Sequence, residues 1–93
     1  MTNSSIIKCE DSRTELNVSI AYRKNGSINE YFVYLVDFPT YETIECSSIE
    51  EAKSIFNQIT DWFTYAPSLE KEGILARFRI LKNSKKKGDK VNV

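Results

Sequence analysis

The chain contains no histidine. That absence removes Ser-His-Asp and Cys-His activation of a nucleophile, the usual zinc sites, and the commonest general base near neutral pH. Catalysis by carboxylates or lysine is left, and nothing in the sequence favours it. The acidic residues Glu10/Asp11, Glu42/Glu45 and Glu50/Glu51 are dispersed over turn, strand and helix start. They offer no acid–base pair, and no cofactor motif or metal-ligand spacing occurs. The expectation is a non-enzyme without cofactor. Cysteine is scarce too: Cys9 and Cys46 are too few for a disulfide scaffold. They read as two reduced, half-buried strand residues, since free cysteine behaves as a small hydrophobe. A bond between them would need neighbouring strands and an oxidising compartment. An excess of one charge is also lacking. With 13 basic against 13 acidic side chains, no overall field draws nucleic acid or an anionic membrane. No apolar run approaches the ~20 residues a membrane helix needs. The opening Met1-Thr2-Asn3-Ser4-Ser5 lacks the basic and apolar regions of a signal peptide. The default is a cytoplasmic protein of one domain with one core.

What the chain does contain is one clear helix. Ser48 and Glu51 form a capping box, in which the Ser48 hydroxyl accepts from the Glu51 N–H and the Glu51 carboxylate reaches back to the Ser48 N–H. Behind it Ala52, Ile55, Phe56, Ile59, Trp62, Phe63 and Ala66 recur at three- and four-residue spacings. They line one face of a helix from about 49 to 65, stopped by Pro67. Trp62 and Phe63 fall at its core positions.

Almost everything before the helix alternates with period two, which is strand patterning. Residues 6–9 read as a short first strand and residues 10–13 as a turn. Leu16, Val18, Ile20 and Tyr22 then alternate with polar or small neighbours. Asn25-Gly26 signals a two-residue hairpin. That turn would pair Tyr22 with Asn29, Ile20 with Tyr31, Val18 with Val33 and Leu16 with Leu35. Pro39-Thr40 would close a second hairpin, setting Leu35 against Ile44 and Val33 against Cys46. Both registers put the same residues on one core face. After a charged connection over 67–73, residues 74–81 read as a last strand with Ile74, Ala76, Phe78 and Ile80 facing the helix. The expected fold is α+β: a single antiparallel sheet of four or five strands with one helix on one face, in the order β-β-β-β-α-β. Residues 1–4 are expected to be frayed, 5–82 to form the domain, and 83–93 to be a flexible basic tail.

This register directs Phe32, Tyr34, Val36 and Phe38 away from the helix, with Tyr41 and Thr43 beside them. A contiguous aromatic patch on a small protein usually marks an interface. A β-bulge, a flap from the N-terminal segment or the 67–73 loop, or closure of the sheet on itself are the other ways to account for it. The candidate partner-binding residues are Phe32, Tyr34, Phe38, Tyr41, Arg77 and Arg79, the two arginines emerging beside the aromatics from the last strand. The expected partner is another protein, a second copy of the chain included. Stacking of single-stranded nucleic acid on the rings is the alternative. The run Lys85-Lys86-Lys87 could touch a few phosphates but reads first as a solubilising tail.

Small size and the lack of any catalytic constellation suit a binding module that covers a surface of a larger protein. The richness in Lys, Asn, Ile and Ser is that of an AT-rich coding sequence, common in low-GC bacteria and their phages. The concrete version is therefore an inhibitor of phage or mobile-element type, anti-CRISPR-like in action.

Overall fold

A computed structural model of the chain describes residues 4–66 and 69–91, with side chains over 6–66 and 69–85. Four strands, β1 (Ser4–Asp11), β2 (Leu16–Asn25), β3 (Ile28–Asp37) and β4 (Thr40–Cys46), form one antiparallel meander in the order β1-β2-β3-β4. Two helices follow, α1 (Ile49–Tyr65) and α2 (Lys71–Val91). No helix among the described residues is long and apolar enough to cross a membrane. Of the start expected to fray over residues 1–4, Ser4 belongs to β1 and residues 1–3 lie outside the described residues, as do the stop at Pro67 and the side chains of Lys86 and Lys87.

Both hairpin registers differ from expectation by two residues. Asn25 pairs with Ile28, which leaves Gly26-Ser27 as the first loop. Gly26 has φ +65° and its loop partner has no positive φ. That is the pattern of a type II′ turn, where glycine holds the first central position. A loop of Asn25-Gly26 would have required a positive φ at Asn25 as well. In the second hairpin Asp37 pairs with Thr40, so the loop is Phe38-Pro39, whose peptide bond is cis. Thr40 enters the strand, and its hydroxyl donates to the Asp37 carbonyl at 2.9 Å. The observed pairs are therefore Tyr22–Tyr31, Ile20–Val33 and Val18–Leu35, then Val33–Ile44 and Tyr31–Cys46. A shift of two preserves the alternation of side chains, so every strand keeps its expected core face.

β1 is longer than the four residues expected and bulges between Ser5 and Ile7, a disruption common on edge strands. The turn after it is tied by Asp11, whose carboxylate accepts from the Thr14 N–H and hydroxyl at 3.2 and 2.6 Å. Cys9 on β1 and Cys46 on β4 occupy opposite edges of the sheet, and both are free thiols.

The expected last strand is a helix. Residues 74–81 belong to α2, which buries Ile74, Leu75 and Phe78 rather than alternate residues. The backbone continues as helix through the expected tail as far as Val91. The order is thus β-β-β-β-α-α, and no fifth strand occurs among the described residues. Both helices lie on the same side of the sheet. The core joins Leu16, Val18, Ile20, Val33, Leu35, Ile44 and Cys46 from the strands to Ala52, Phe56, Ile59 and Phe63 of α1 and Ile74, Leu75 and Phe78 of α2.

The start of α1 carries the expected cap, modified by one residue. The Ser48 hydroxyl accepts from the Glu51 N–H at 3.1 Å. The Glu51 carboxylate reaches back past Ser48 to the Ser47 N–H at 2.7 Å. Helix α2 runs alongside β4 and is pinned by three ion pairs in succession: Lys71–Asp37 at 3.1 Å, Arg79–Glu42 at 2.8 Å and Lys85–Glu51 at 3.0 Å. Such partly exposed pairs contribute little each; the buried Ile74, Leu75 and Phe78 hold α2 on the core side of the sheet.

Candidate protein-contact face

With both helices on one side, the other side of the sheet carries the residues that alternate with the core. They stand in rows across the ladder. One row runs Ala21, Phe32, Glu45; the next Lys8, Ser19, Tyr34, Thr43; the next Glu10, Asn17, Val36, Tyr41. Arg23 and Glu30 pair beyond Ala21 and Phe32, toward the β2–β3 turn. Strands β3 and β4 therefore raise a ridge of rings, while β2 offers a low floor of Ala21, Ser19 and Asn17.

The ridge is continuous. Phe32 and Tyr34 meet edge to face with centroids 6.3 Å apart, and Tyr34 lies against Tyr41 at 5.6 Å. Offset and tilted contacts of this kind are the favoured geometries for aromatic pairs. Tyr41 remains 63% exposed, and Phe38, in the turn at the end of β3, is 86% exposed. At the other end the Arg23 guanidinium sits 5.2 Å from the centre of the Phe32 ring. Its Nε and Nη2 both donate to one Glu30 oxygen, at 2.8 and 2.7 Å. Arg23 is thus held by a charge-assisted pair and by the ring it covers.

The structure brings Tyr34, Phe32 and Tyr41 together as expected and places Phe38 in the turn rather than on the strand. Arg77 and Arg79 do not join them. As helix residues they emerge on the opposite side of the sheet, where Arg79 pairs with Glu42, a neighbour of Leu35 on the helix-facing side. The strand reading that put them beside the aromatics is thereby corrected. Arg23 and Glu30 are the face residues that sequence reasoning missed. Their signal was the hairpin register: only with Gly26-Ser27 as the loop do they stand opposite each other.

The remaining titratable features lie on the helix side. Burial pushes the Cys46 thiol up to about 11, and the neighbouring Glu51 carboxylate adds to the rise. Burial also acts to raise the Glu51 carboxyl. The Ser47 N–H and the Lys85 ammonium outweigh it, so Glu51 ionises below its ordinary value. These are the properties of a packed thiol and a helix cap. No group of three or more His, Cys, Asp or Glu side chains is placed to hold a metal ion among the described residues. No family model, no curated protein and no solved structure matches this chain.

Proposed function

We propose that this chain is a small non-catalytic protein-binding module that lays the aromatic face of its sheet on another protein. Its most concrete form is a cytoplasmic inhibitor of phage or mobile-element type, anti-CRISPR-like in action, that occludes a surface of a host machine. One observation carries the reading. Both helices pack on the same side of the sheet, leaving Phe32, Tyr34 and Tyr41 as a continuous ring ridge on the other. Large aromatics with one polar end are the side chains that dominate protein interfaces. The face also holds few uncompensated charges, as Lys8 pairs with Glu10 and Arg23 with Glu30.

Binding of single-stranded nucleic acid to the same rings is the second reading, favoured by Arg23 lying over Phe32. It is the weaker one. Arg23 is neutralised by Glu30, Arg77 and Arg79 lie on the helix side, and Lys85 is paired with Glu51. The test is capture from the native host with the wild-type chain and with Tyr41→Glu, at low and high salt. A protein retained by the wild type at both salt concentrations and lost with the folded variant supports the reading. Retention of nucleic acid that falls steeply with salt would replace it with the second.

A further inference from the structure

We propose that the protein surface this face accepts first is a second copy of the same chain, in a face-to-face dimer whose two-fold axis runs parallel to the strands between β2 and β3. The inference rests on reading the face as a protein-contact surface and adds the identity of the occupant.

The rows of the ladder carry the argument. A two-fold axis parallel to the strands exchanges left for right and keeps each row at its own height. Placed between β2 and β3, it lays each β2 residue under the β3 residue of the same row in the other copy. Ala21 then meets Phe32, Ser19 meets Tyr34, and Asn17 meets Val36. In the first two of these rows a small side chain faces a ring of the other copy, so the ridge of each copy packs on the β2 side of the other. Interdigitation of this kind is how two sheets pack face to face at about 10 Å. The same operation lays Arg23 of one copy over Glu30 of the other, and the reverse, because these two are also cross-strand neighbours. Charge complementarity therefore follows from the same axis as shape complementarity. A contact of this type is isologous and closes at two copies.

Size is consistent with a closed pair. Four strands at about 4.8 Å spacing and seven residues at about 3.4 Å give a face of roughly 450 Å² in projection. Two such faces bury roughly 900 Å² before the relief of the rings is counted, which approaches the ~1,200–2,000 Å² of standard interfaces. The face cannot hold a second copy and a target at once.

Charge exchange across the pair tests this. Arg23→Glu and Glu30→Arg should each weaken self-association by about 30-fold or more in sedimentation equilibrium. Each variant alone faces like charges across the axis. An equimolar mixture of the two should recover a 1:1 heterodimer, since the carboxylates of one variant then face the guanidinium groups of the other at both positions. Ser19→Trp, which fills the floor, should abolish the dimer while the chain still melts cooperatively, at a temperature that no longer depends on protein concentration. Ile80→Glu on the exposed side of α2 should leave it intact. A wild-type chain that is monomeric up to about 1 mM, or a mixture that fails to pair although the wild type dimerises, overturns the proposal. A monomeric wild type that still loses its target with Tyr41→Glu would remove the dimer and spare the contact face. A dimer with the predicted mixing behaviour whose target binding ignores Tyr41 would do the reverse.

Discussion

Leu75 and Ile80 separate the helix from the strand that the sequence suggested over residues 74–81. A strand with Ile74, Ala76, Phe78 and Ile80 inward would expose Leu75 and bury Ile80. In α2 the order is reversed: Leu75 is 8% exposed and Ile80 63%. Leu75→Ala deletes three carbons, about 0.8 kcal/mol of transfer free energy each when buried. The cavity left behind adds to that, so the expected loss is about 2–5 kcal/mol. Ile80→Ala removes the same number of carbons, but about a third of their surface is buried, so the transfer loss is about 0.9 kcal/mol. Alanine's better helix propensity offsets several tenths of it, and the net change should fall within about 0.5 kcal/mol. Urea unfolding of the two variants, with the slope m held equal to that of the wild type, reads the difference. A costly Ile80→Ala beside a mild Leu75→Ala would refute the helix and restore the strand.

Two further outcomes follow from the start of α1 and the thiols. Glu51→Gln should lower the melting temperature at pH 7. Because the folded pKa of Glu51 lies below its ordinary 4.5, its stabilisation is full above that value and is lost as pH falls through the folded pKa. The gap between wild type and Glu51→Gln should therefore close in acid, and a gap that widens there would contradict the cap. Cys46 should stay protonated and unreactive toward a disulfide reagent at pH 8 in the folded chain, given a pKa of about 11. Both thiols should titrate in denaturant, and rapid native modification of Cys46 would show that it is not packed in the core.

The core was legible in the sequence even though neither hairpin register was. Both loops lie one position from the expected place, Gly26-Ser27 and Phe38-Pro39, and each displacement shifts the pairing by two residues. Side chains alternate with period two, so such a shift changes every neighbour and no face. Leu16, Val18, Ile20, Val33, Leu35 and Ile44 could be assigned inward, and Phe32, Tyr34 and Tyr41 outward, without the correct partners. Cross-strand neighbours could not, which hid the Arg23–Glu30 pair. Helix α2 was misread because Ile74 and Phe78 satisfy both a two-residue and a four-residue spacing. The deciding residues are Leu75 and Leu81, which continue the helical stripe, and Ile80, which interrupts it. The polar segment beyond Leu81 has no apolar stripe to announce a helix. It continues the helix begun in the turns before it, and Lys85 pairs there with Glu51 of α1. The arginines at 77 and 79 were displaced from the face by that single change of period.

The proposed contact surface is the ring ridge of a folded monomer, opposite both helices. Tyr34 lies at its centre, between Phe32 and Tyr41. The direct measurement is Tyr34→Glu, read by thermal melting and by sedimentation together with target capture. The expected result is a folded chain that melts cooperatively, at the temperature of the wild type diluted to monomer, and has lost both self-association and its target. A variant that fails to fold would place Tyr34 inside the monomer, and one that folds and still binds would move the functional surface to another side of the molecule.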